Sequence, residues 1–141
     1  MGDCLTAWAE KWQHPYTVVD THPGANPLTD GALQAADLVV IPVILAGREM
    51  DALESMLADF STYRLLLAPT MVPASPPRRY VERLESIAKE LPVAPPISEH
   101  RWIRRRIRRA AIVSQPNPGQ QVAKAASEFR ALAQMVEKHC A

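Results

Sequence analysis

The chain has 141 residues, 48% of them hydrophobic and 22% charged, with a formal net charge of +1. That length suits one domain with a packed core, and the near-neutral balance excludes a general electrostatic attraction to nucleic acid or membrane, so any electrostatic function is local. Two cysteines, Cys4 and Cys140, make neither a disulfide framework nor a metal ligand set, and they point to a reducing cytoplasm.

The amino-terminal residues MGDCLTAWAEKWQHP carry acids in their first turns and no apolar stretch of signal-peptide length, so export by that route is not expected. Leu5, Trp8, Ala9 and Trp12 recur at helical spacing and predict a short amphipathic helix over 3–13. Val18 and Val19 then read as a buried strand with Asp20 at its carboxyl end, and His22-Pro23-Gly24 turns the chain out of extended geometry. A crossover helix is expected over 29–36, capped by Thr29 or Asp30. It leads to a second strand over 38–43. The apolar run 38–46 contains Pro42 and is about half the length that spans a bilayer, so no transmembrane helix is expected.

A helix over 48–63 follows, with Met50, Leu53, Met56, Leu57 and Phe60 on one face. The third strand is 64–72, then a proline-marked loop, then a helix over 78–90 started by Pro77. Pro92, Pro95 and Pro96 bracket a fourth strand, 93–97, too rich in proline to be central. The closing helix, 120–139, presents Val122, Ala125, Ala126, Phe129, Leu132, Ala133 and Val136 as one stripe. Alternation of strand and helix predicts an α/β domain with a mainly parallel sheet and helices on both faces.

The run YTVVDTHPGANPLTDGALQAADLVVIPV, an apolar strand ending in an acid with a second strand one crossover later, resembles the carboxyl-terminal two thirds of the ParA/MinD family of partition ATPases. RLLLAPTMVPASPPRRYVERLESI, VAPPISEHRWIRRRIRRAAIVSQPN and KAASEFRALAQMVEKH resemble the later strand-helix, edge-strand and closing-helix segments in the same order. The resemblance implies a single partial ParA-like domain over 1–141 with a truncated P-loop NTPase fold. It implies a role in segregating plasmid or chromosomal DNA, with a DNA-bound adaptor protein as partner. Asp20 then matches the family's strand-end acid, which holds magnesium through water. Read without the resemblance, Asp20 is a turn-capping residue at the end of a buried strand sooner than a magnesium ligand.

The sequence departs from the family at the phosphate end. None of its five glycines begins a Gly-Lys-Ser/Thr motif, and Lys11 is the only lysine before residue 89. His22 also stands where proline or alanine is common. A P-loop and a strand-end acid are both needed for phosphoryl transfer, so the chain alone is expected to use no cofactor and to hydrolyse no ATP. ATP and magnesium would bind if a P-loop-bearing partner chain completed the site. In the family the P-loop strand lies beside the strand that ends in the acid. Its absence would leave an apolar edge near Val18 open to a partner, whether a second copy or another chain. A scaffold using that edge and the 48–63 helix is a third reading.

Six of the twelve arginines, Arg101, Arg104, Arg105, Arg106, Arg108 and Arg109, fall in nine residues, RWIRRRIRR. On a helix, Arg101, Arg104, Arg105 and Arg108 share one face, while Ile103, Ile107, Ala110 and Ala111 share another. Guanidinium forks bind phosphate oxygens in pairs, so such a stripe suits non-specific contact with DNA, and the resemblance points the same way. A solvated helix face, or pairing with acids of 78–90, is the structural alternative. The four histidines lack zinc-site spacing, and no hydroxyl lies in a nucleophile-elbow pattern.

Overall fold

In a computed structural model the described residues are 2–22, 26–103, 111–114 and 119–140. Among them the chain forms helix α1 (Gly2–Trp12), helix α2 (Pro27–Ala35), strand β1 (Val39–Val43), helix α3 (Gly47–Asp59), strand β2 (Leu65–Pro69), helix α4 (Arg78–Ile87), a 3-10 turn (Ile112–Ser114) and helix α5 (Gln120–Cys140). β1 and β2 pair in parallel, with Val39 opposite Leu65 and Val43 opposite Pro69. The protein is therefore α/β with a parallel sheet.

The sheet is organised by β2. All five of its residues are buried, as expected of a continuous apolar run held in a sheet interior. One of its edges pairs with β1. The other bonds to the extended segment after α4: Leu67 N–H donates to the Pro92 carbonyl at 3.0 Å, and Ala94 N–H donates to the Leu67 carbonyl at 2.8 Å. Further on, Ile97 N–H donates to the Pro69 carbonyl at 2.8 Å and Glu99 N–H to the Val72 carbonyl at 2.9 Å.

The expected fourth strand over 93–97 is reduced to isolated parallel bridges, Leu67 with Val93 and Val72 with Ser98. Pro69 on one side and Pro95 and Pro96 on the other lack N–H groups where the ladder would continue. Met71, in the left-handed region at φ 54°, lies where the bonding residues change from alternate odd positions to Val72.

The strand expected at Val18 and Val19 is absent. Residues 14–20 belong to no helix or strand, and Val18 is 92% exposed. β-branched side chains favour extended backbone, yet a strand also needs a neighbour to receive its N–H and C=O groups. Among the described residues none does so. α2 starts earlier than expected, because Asn26 rather than Thr29 or Asp30 is its cap. The Asn26 Oδ1 accepts from Leu28 N–H at 2.9 Å and Thr29 N–H at 3.0 Å, and Pro27 opens the first turn. α1 lies close on α2, where a Cβ at Gly2 would come within 3.1 Å of the Gly31 carbonyl.

The principal core joins Val43 and Leu45 with Met50 and Leu53 of α3, Leu67 of β2 and Tyr80 of α4. Gly47 lets α3 begin directly under Tyr80, since a Cβ there would stand 3.1 Å from its hydroxyl. On the α3–α4 surface Arg83 bridges Glu54 and Asp51, both at 2.8 Å. Hydrogen bonding from Arg83 holds the Glu54 carboxyl below its ordinary range. At the end of α5 the Arg64 guanidinium donates to the His139 carbonyl, a basic cap on the last turn.

Leu67 is completely buried, whereas Val40 of β1 is 38% exposed. Replacing Leu67 by alanine should lower unfolding free energy by about 3–5 kcal/mol and Val40→Ala by less than about 1.5 kcal/mol, as read from urea denaturation.

Candidate nucleic-acid interface

The edge segment that completes the pairing of β2 ends at Ser98, three residues before the arginine run. Its position is fixed by Glu128 of α5. Ser98 Oγ donates to Glu128 Oε1 at 2.7 Å, Ser98 N–H donates to Oε2 at 3.1 Å, and His100 Nε2 lies 2.7 Å from the same Oε2. The side chains of His100 and Glu128 are 8% and 14% exposed, so this clamp is largely shielded from water. Lys124, one turn earlier on α5, adds its ammonium at 3.8 Å.

Burial pushes the Glu128 carboxyl up, but hydrogen bonds from the Ser98 hydroxyl, His100 and the Ser98 N–H, with the His100 charge, together outweigh it and hold the group below its usual value of 4.5. The carboxylate thus makes its hydrogen bonds in the ionised form.

The sequence pattern did not single out this trio. One signal was present: Glu128 interrupts an otherwise apolar stripe between Ala125, Ala126 and Phe129. Ala125 and Ala126 are buried, and an acid on the same face of the helix requires polar partners from the element packed there.

Arg101 follows the clamp directly. Its side chain is 86% exposed and its Nε stands 3.5 Å from Glu99 Oε1, a surface pair of small energetic weight. Trp102 lies against His100 with ring centroids 6.0 Å apart. Arg104, Arg105, Arg106, Arg108 and Arg109, and the helix expected over them, lie outside the described residues.

Asp20 stands apart from this region of the sequence. It is exposed, ends no strand, and makes no hydrogen bond or ion pair with another described residue. Among the described residues no group of three His, Cys, Asp or Glu side chains would hold a metal ion. Two clefts among the described residues, one beside Tyr63 and Leu91 and one beside Asp37 and Arg64, open at the amino ends of the strands. Ligands of parallel α/β sheets bind at the opposite end.

No family model matches the chain, and no curated protein matches it. Among the described residues no helix is long and apolar enough to cross a membrane.

Because the folded carboxyl of Glu128 titrates below its unfolded value, its stabilisation is present above about pH 4.5 and is lost as pH falls through the lowered folded value. Glu128→Gln should cost about 1–3 kcal/mol at pH 7, with the gap to wild type narrowing below about pH 4.5. Urea midpoints measured at pH 7 and at pH 3 check both statements.

Proposed function

We propose that this chain is a ParA-like partition protein, a truncated P-loop NTPase fold that binds DNA without sequence preference through Arg101, Arg104, Arg105, Arg106, Arg108 and Arg109. The observation that carries this reading is the concentration of half the arginines in nine residues of a chain whose net charge is only +1. Directly before them stands a buried hydrogen-bonded clamp, Ser98–Glu128–His100, that ties the preceding residues to a 21-residue helix. Such an anchor lowers the entropy lost when a basic segment settles on a phosphate backbone.

In this role the chain works in the cytoplasm, alongside a DNA-bound adaptor protein, in segregating plasmid or chromosomal DNA. It hydrolyses no ATP alone. Asp20 acts on magnesium only where a partner chain supplies the phosphate loop, and a half-ATPase completed in that way is the competing reading.

The triple variant Arg104→Ala/Arg105→Ala/Arg108→Ala should weaken binding to an arbitrary labelled duplex by about two orders of magnitude at low salt, with unchanged circular dichroism. Fluorescence anisotropy reads the loss. Unchanged affinity would overturn the proposal, and binding that appears only with ATP, magnesium and a P-loop-bearing chain would favour the half-ATPase.

A further inference from the structure

Two strand surfaces are unpaired among the described residues. The first is residues 16–19, Tyr-Thr-Val-Val, whose Tyr16, Val18 and Val19 are 51%, 92% and 45% exposed. Aromatic and β-branched residues of this kind favour a pleated, half-buried setting, and here they have none. The second is the outer edge of β1. Val39 N–H donates to the Arg64 carbonyl and the Val43 carbonyl accepts from Thr70 N–H, so Val39, Ile41 and Val43 face β2 with their backbone groups. By the alternation of a parallel ladder, the N–H and C=O of Val40 and the C=O of Pro42 face outward. Among the described residues nothing pairs with them.

We propose that two copies of the chain associate by strand exchange, the 16–19 segment of each copy adding to the outer edge of β1 in the other. Each copy supplies both halves of the contact, so a two-fold arrangement makes both contacts at once and closes. Pro42 shapes the fit. It has no N–H to offer, so the incoming strand bonds chiefly around Val40, and pairing of β1 with its own copy would leave an acceptor without a donor at each end.

The area agrees with a dimer. The exposed parts of Trp8, Trp12, Tyr16, Val18, Val19 and Val40 amount to roughly 600 Å² per copy, main chain included, against the ~800 Å² per partner of a standard interface. Trp8 and Trp12 already stack on each other at 5.9 Å, and they immediately precede the exchanged segment. They would be carried into the interface with it.

Light scattering on the size-fractionated full chain at tens of micromolar should give twice the mass of the 15.6 kDa chain. Val18→Pro, which removes an N–H from a segment outside every helix and strand, should return it to a monomer with unchanged circular dichroism. In a Cys4→Ser/Cys140→Ser background, a short bis-maleimide should join a Val18→Cys copy to a Val40→Cys copy when the two are mixed, and neither variant efficiently to itself. A monomer at every concentration, a dimer indifferent to Val18→Pro, or linkage of the two positions within one copy would each overturn the proposal. A chain that remains monomeric until a P-loop-bearing protein occupies the edge would do the same, since that assigns the edge to a different occupant.

Discussion

Complete burial of Leu65–Pro69 is the constraint on which the remaining structure depends. A strand with five buried residues must have both edges paired and its side chains covered, because each unpaired backbone group out of contact with water costs about as much as a lost hydrogen bond. β1 takes one edge and residues 92–99 take the other. Met50, Leu53 and Tyr80 pack into the same core as Leu67, which fixes α3 and α4. Because the 92–99 segment is held to β2, its continuation through Ser98 and His100 meets α5 at Glu128, and the arginine run starts from a determined place.

The elements legible in the sequence are those whose cause is local. Val39–Val43 and Leu65–Pro69 are apolar runs of strand length, and the Met50–Leu53–Met56–Leu57 face gives α3 its helical period. The long α5 shows the same regularity. The two strand failures come from partners. Val18 and Val19 have strand chemistry but no pairing neighbour among the described residues, and propensity without pairing leaves an exposed extended segment. Residues 93–97 have a neighbour, yet prolines on both sides of the ladder remove the donors that would continue it. Position also matters at helix starts: Asn26 precedes Pro27 and caps α2, although Thr29 and Asp30 are also residues of capping type.

The candidate site divides in the same way. Six arginines in nine residues are visible as charge, because composition alone reveals them. The clamp behind them is not, because Ser98, His100 and Glu128 are brought together only by the sheet edge and a helix some thirty residues later. An acid set among buried alanines is the trace that such a contact leaves in sequence. For Asp20 the local pattern alone is weak, and the strand that would place it is not formed, so the acid stands in solvent.

If basic side chains on an anchored segment bind DNA through phosphates, affinity must follow counterion release. The direct measurement is the dissociation constant for an arbitrary duplex between about 50 and 200 mM salt, with and without ATP and magnesium. The account predicts a log–log slope of about −4 to −5, reflecting four to six neutralised phosphates, and the same slope in both conditions. An affinity indifferent to salt, or no binding at the lowest salt, would contradict it.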